Sequence, residues 1–177
     1  MYDDVTLPTR RPRWRRLITV VAAVALSLGA ALAVAHPAKA DNYLGFREYV
    51  NGASNLCLDD QYSQQYDGAE VQQWGCNGTD AQAWNYDFTT GALALPGLAG
   101  QPNYCLDGGA NQPGTRVQLW SCNGTADQAW EYVNSQLVSE QSGLCLDNPS
   151  GQSNWGNRMQ LWYCNGNSAQ QWYVYAQ

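Results

Sequence analysis

Beyond residue 40 the apolar and polar positions alternate in short runs and rarely recur at helical spacing. "VQLWSC", Val117 to Cys122, is representative. Val117 and Leu119 fall on one side of an extended segment, and Gln118, Trp120 and Cys122 fall on the other, because successive strand side chains point to opposite faces. The same alternation runs through "VQQW" (Val71 to Trp74) and "MQLW" (Met159 to Trp162). Pro, Gly, Asn and Ser interrupt these runs every several residues. The pattern predicts an all-β chain of short strands joined by turns.

The pattern also repeats. A nine-residue phrase occurs three times, as "CNGTDAQAW" ending at Trp84, "CNGTADQAW" ending at Trp130 and "CNGNSAQQW" ending at Trp172, at steps of 46 and 42 residues. Each copy opens upstream with "CLD" (Cys57 to Asp59, Cys105 to Asp107, Cys145 to Asp147) and passes a turn at Gly68, Gly114 or Gly156. A period of this length indicates stacked or closed repeats. Three units over approximately 41–90, 91–133 and 134–177, each with room for four short strands, suit a closed threefold arrangement that leaves few strand edges exposed.

Residues 1–40 stand apart. Arg10, Arg11, Arg13, Arg15 and Arg16 precede an apolar run from Leu17 to Ala35 that closes on "AKA", Ala38 to Ala40. This reads as a signal peptide with a small-x-small cleavage site, so the mature domain, 41–177, is expected to be secreted and free of the membrane. Whether export takes the general or the twin-arginine route is left open by Arg10-Arg11-Pro12. The mature part holds three Arg, no Lys and no His against thirteen Asp plus Glu, a formal charge of −10. Such a surface disfavours nucleic acid and anionic lipid and is indifferent to a neutral partner.

All six Cys lie in this part. An even count in an exported chain predicts disulfides, and the repeats select Cys57–Cys76, Cys105–Cys122 and Cys145–Cys164. Without His there is no Cys/His zinc site, and the acidic run Asp59, Asp60, Asp67, Glu70 lacks calcium-loop spacing. No metal or other cofactor is expected.

The threefold "CLD … QxW … C … QxW" pattern resembles the ricin-type lectin domain, also described as a family 13 carbohydrate-binding module, over essentially the whole mature chain. The resemblance implies a β-trefoil of six barrel strands and three capping hairpins, with up to one sugar pocket per repeat and a monomeric, non-catalytic domain. Alternation supports the pocket independently. A Cys105–Cys122 bridge pins Asp107 and Trp120 to one side, away from Leu106, Val117 and Leu119. An indole stacks on the C–H face of a pyranose, and a carboxylate accepts from its hydroxyls.

On this reading Asp59, Asp107 and Asp147 are acceptors, Trp74, Trp120 and Trp162 are platforms, and Gln72, Gln118 and Gln160 are rim donors. Trp84, Trp130 and Trp172 read as core. Their partners Gln82, Gln128 and Gln170 tie loops together and remain candidates for ligand contact. Asn77, Asn123 and Asn165 read equally as sugar donors or as turn residues. In the family an Asn usually precedes the second-motif Gln, and here Ala81, Asp127 and Ala169 stand there. Asp127 retains a polar group, which favours the middle repeat as the working site. Gln73 occupies a core-facing place that needs hydrogen bonds. Trp155, without counterpart in the other repeats, reads equally as a wider stacking surface for the third pocket or as a ring packed against the domain.

The expected partner is thus a neutral glycan, such as a galactose- or xylose-type polysaccharide. A glycoside hydrolase would have to work with a carboxylate pair alone, since the mature chain has no His, Lys or unpaired Cys. A trefoil protease inhibitor would present one binding loop and has no use for three copies of a pocket motif.

Overall fold

The computed structural model describes residues 45–97 and 103–177. The expected leader over 1–40 and the first residues of the domain lie outside the described residues. Four strands fall in each repeat. The first repeat contains β1 (Arg47–Asn51), β2 (Cys57–Asp60), β3 (Ala69–Trp74) and β4 (Asn85–Tyr86). The second contains β5 (Leu93–Leu95), β6 (Tyr104–Asp107), β7 (Gln118–Ser121) and β8 (Trp130–Val133). The third contains β9 (Gln136–Ser139), β10 (Cys145–Asp147), β11 (Gln160–Trp162) and β12 (Trp172–Ala176). No α-helix occurs among the described residues. One-turn 3-10 helices at Asp80–Gln82, Ala126–Gln128 and Ser168–Gln170 occupy the same place in each repeat.

Every strand pairing is antiparallel, as short strands joined by tight turns allow. One sheet runs β12-β1-β2-β3-β7-β6-β5-β4 and the other β11-β10-β9-β8. The hairpins β2–β3, β6–β7 and β10–β11 close on one another. β3 meets β7 through Ala69↔Leu119 and Glu70↔Gln118. Bridges at Arg116↔Gln160 and Gln72↔Arg158 join the second repeat to the third and the third back to the first.

The turn glycines make that closure regular. Gly68, Gly114 and Gly156 have φ of +90°, +84° and +82°, a region that side chains with a Cβ rarely enter. Their N–H groups donate to the carbonyls of Leu119 (2.8 Å), Leu161 (2.8 Å) and Gln73 (2.9 Å). Each repeat therefore hands its turn to the next repeat's "QxW" strand.

The core is where alternation places it. Leu58, Leu106 and Leu146, with Val71, Val117, Met159, Leu119 and Leu161, are fully enclosed around Trp84, Trp130 and Trp172. Each of the three indoles is at 0% exposure and donates its Nε1–H to a strand carbonyl, that of Leu58 (2.9 Å), Leu106 (2.9 Å) or Leu146 (3.0 Å). The hydrogen bond removes the penalty of burying a polar N–H, so the ring contributes its whole apolar area to stability. The three expected disulfides are formed, each with Cα atoms 5.1 Å apart. Three four-stranded units around one core, closed through their central hairpins, are a β-trefoil.

Candidate functional site

The hairpin register puts the predicted polar residues opposite one another. Asp59 faces Gln72, Asp107 faces Gln118 and Asp147 faces Gln160, while Trp74, Trp120 and Trp162 pair with Cys57, Cys105 and Cys145 two residues along the same face. These indoles are 37%, 38% and 41% exposed, against 0% for the core indoles, which separates open rings from scaffold rings of the same residue type. Each carboxylate, by contrast, is nearly enclosed, at 5–6% exposure.

The glutamines differ from their expected role. Gln72 Nε2 donates to Asp59 Oδ1 at 2.8 Å, Gln118 Nε2 to Asp107 Oδ1 at 3.2 Å and Gln160 Nε2 to Asp147 Oδ2 at 2.8 Å. They orient the carboxylates, and Gln72 is itself buried. Gln82, Gln128 and Gln170 are enclosed and lock the loop after the second Cys. Each accepts the N–H of Asn77, Asn123 or Asn165 at 2.9 Å and donates to the carbonyl of Gly75, Ser121 or Tyr163. Gln82 and Gln128 also reach the carboxylates of Asp59 and Asp107. These three residues support the recess from behind. Their burial follows from the adjacent core indole, which draws the backbone inward.

Asn77, Asn123 and Asn165 are exposed turn residues whose side-chain oxygens accept from the backbone two residues on, Thr79, Thr125 and Asn167. Their amide nitrogens are not used by these turns.

The three carboxylates differ in what they have left to offer. Asp107 accepts three hydrogen bonds, from Gly109 N, Gln118 and Gln128. Asp59 accepts two, from Gln72 and Gln82. Burial raises its pKa above the ordinary value, and those two hydrogen bonds oppose the rise. Asp147 accepts only from Gln160, and its Oδ1 has no partner among the described residues while remaining in touch with solvent. A carboxylate has about four acceptor sites, so capacity falls from the third repeat to the first to the second.

The recess follows the same order at its upper end. A cleft of about 790 Å³ opens in the third repeat, lined by Asp147, Gln160, Trp162, Asn165, Ala169 and the loop from Asn148 to Gly151. In the middle repeat, Asn111 donates its side-chain N–H both to Asp127 Oδ1 and to the Gly109 carbonyl, so the one polar residue at that family position is tied up internally. Sequence offered no signal for this, since Asn111 lies sixteen residues from Asp127. A further cavity of about 850 Å³ is lined by residues such as Phe46, Ala94, Pro96 and Glu140. It contains none of the predicted carboxylates or indoles.

Gln73 finds the hydrogen bonds its place requires, and Trp155 packs across a repeat boundary. Gln73 is fully buried and fully bonded, accepting from Ser54 Oγ (2.7 Å) and donating to the carbonyls of Gln152 (2.7 Å) and Asn154 (2.9 Å). Trp155 does not widen the third pocket. It stands against Trp74 of the first repeat, because the turn of each repeat packs on the strand of the next.

The model of the ricin-type beta-trefoil lectin domain matches residues 46–172. The chain belongs to this family. The lectin domain is similar to solved structures of the same architecture. These include the designed threefold-symmetric protein ThreeFoil, at 25% identity and a TM-score of 0.64 over 77% of this chain and 100% of that one. The agglutinin of Abrus precatorius follows at 19% identity and a TM-score of 0.63, over 72% of this chain and 47% of that one. The C-half of an earthworm R-type lectin, solved in complex with GalNAc, gives 13% and 0.63 over 73% and 97%. No curated protein sequence matches the chain. A ricin-type lectin domain is a carbohydrate-binding fold and generally a non-catalytic one, and carbohydrate is accordingly the class of ligand.

Proposed function

We propose that this is a secreted, non-catalytic lectin that holds neutral glycans in shallow Asp/Trp recesses, with the third repeat as its best-formed site. The observation that carries the reading is the combination at Asp147: a carboxylate oriented by Gln160, with one oxygen unclaimed, beside a half-open indole in a solvent-facing cleft. A pyranose there stacks its C–H face on Trp162 and donates hydroxyl protons to Asp147 Oδ1. The formal charge of −10 over the mature residues favours a sugar without acidic groups. Galactose- and xylose-type polysaccharides are the proposed ligands. Several weak sites on one rigid domain raise avidity on a polymer by roughly 10² or more where spacing permits.

Affinity electrophoresis of the oxidised protein through gels containing xylan, arabinan or galactan tests this. Retardation by at least one neutral polymer is expected, with Trp162→Ala weakening it more than Trp120→Ala. Free migration through all three gels by a folded protein removes the proposal. Release of reducing sugar that is abolished by a single Asp or Glu substitution would replace it with a hydrolase.

A further inference from the structure

The threefold pattern is broken three times at one place. Where the second and third repeats have Leu119 and Leu161, the first has Gln73. Where they have Ser121 and Tyr163 after the open indole, it has Gly75. The turn that reaches this strand carries Trp155, where the other two turns carry Asp67 and Pro113 before their glycines.

These departures fit together physically. Gln73 clamps the incoming turn through the carbonyls of Gln152 and Asn154, and the backbone adds Gly156 N–H to the Gln73 carbonyl and Gln73 N–H to the Asn157 carbonyl, both at 2.9 Å. A side chain at Gly75 would set its Cβ 2.9 Å from Trp155 Cζ2, so the absent side chain is what lets the indole lie there. The Trp155 ring then sits with its centroid 4.9 Å from that of Trp74 and tilted by 50°. Yet Trp155 is 61% exposed. A ring packed on Trp74 but left largely in water adds little to the core and leaves an apolar face open to a ligand.

We propose that Trp74 and Trp155 form a two-ring platform that binds two successive sugar units of a neutral glycan chain, with Asp59 fixing the unit on Trp74. This rests on the lectin reading and deepens it: the first repeat recognises a stretch of chain, whereas the third holds a single unit in its cleft. Neighbouring rings about one sugar repeat apart suit adjoining units of one chain, and their mutual tilt favours a twisted chain over a flat ribbon.

The test uses the oxidised protein with Trp120→Ala and Trp162→Ala, which silence the other platforms at exposed positions. Binding of mono-, di- and trisaccharides of β-linked xylose and of β-linked galactose is followed through the indole N–H signals in NMR. The disaccharide is expected to move the signals of both Trp74 and Trp155, and to bind roughly fivefold tighter than the monosaccharide. Trp155→Ala and, independently, Gly75→Ser should each abolish that length dependence and leave monosaccharide affinity within about twofold, and Trp155→Tyr should restore most of it. Equal loss for mono- and disaccharide, or no loss for either, overturns the platform. In the parent protein, movement of the Trp120 and Trp162 signals without any length dependence at Trp74 overturns this inference alone. Stillness of all the open indoles with both sugar series overturns the lectin reading as well.

Discussion

Asp60 is the least expected side chain in the described core. It follows the "CLD" of the first repeat, is 1% exposed, and no side chain hydrogen-bonds to either of its carboxylate oxygens. Its counterparts are Gly108, which carries no charge, and Asn148, which is buried in a complete hydrogen-bond network with Asn51, Gln152 and Asn157. Burial, and secondarily the charge of Asp59, raise the Asp60 carboxyl from 3.8 to about 7, against a smaller opposing contribution from the backbone of Gln64. The unfolded chain releases this proton near its ordinary value, while the folded chain retains it until near pH 7. Between those values the unfolded state binds fewer protons, so stability falls as pH rises; below the lower value the residue costs nothing through ionisation. The span corresponds to about 4 kcal/mol at 1.36 kcal/mol per pKa unit, an upper bound. Relaxation and water penetration around the carboxylate bring it to about 2 kcal/mol. Asp60→Asn removes the ionisation and keeps the shape. The variant is expected to match the parent within about 0.5 kcal/mol at pH 3.5 and to exceed it by about 2 kcal/mol at pH 8. Urea unfolding with intact disulfides, followed by tryptophan fluorescence, reads this as a midpoint shift of about 1 M for an m-value near 2 kcal/mol/M. A difference that does not grow with pH, or a variant less stable than the parent at pH 8, refutes the argument.

Two further outcomes follow from the scaffold. Replacing Cys145 and Cys164 together by Ser opens a loop with a separation of 19 residues and is expected to cost about 3 kcal/mol in urea unfolding while leaving far-UV circular dichroism at low temperature unchanged. Trp130→Ala removes a fully enclosed indole and orphans the Leu106 carbonyl, an expected loss of about 4 kcal/mol. Trp130→Phe, which keeps a ring but not the N–H, should lose about half of that, and equal losses for the two variants would show that packing contributes nothing beyond the hydrogen bond.

How far the sequence alone reached depends on how local each interaction is. Strand character, repeat number, the cysteine partners and the face occupied by Asp107 and Trp120 follow from alternation and from phrases closed within about twenty residues. So does the division between open and core indoles, since Trp120 alternates with Val117 and Leu119 whereas Trp130 sits beyond the second Cys. The glutamines mark the limit. Their amides compete among a carboxylate, a neighbouring N–H and a carbonyl, and only the packed backbone decides which is nearest.

What the tertiary structure alone decided is whatever crosses between repeats. Closure joins the third repeat back to the first, so Trp155 lands on Trp74, eighty-one residues away, and not on Trp162, seven residues away. The same packing lets Asn111 occupy Asp127 and leaves Asp147 with a free oxygen, the contrast on which the proposal of the third repeat over the middle one rests. Sequence periodicity describes each unit as though it stood alone. Which residue of one unit touches which of the next is set by the direction in which the ring of hairpins closes, and that direction has no signature in the period.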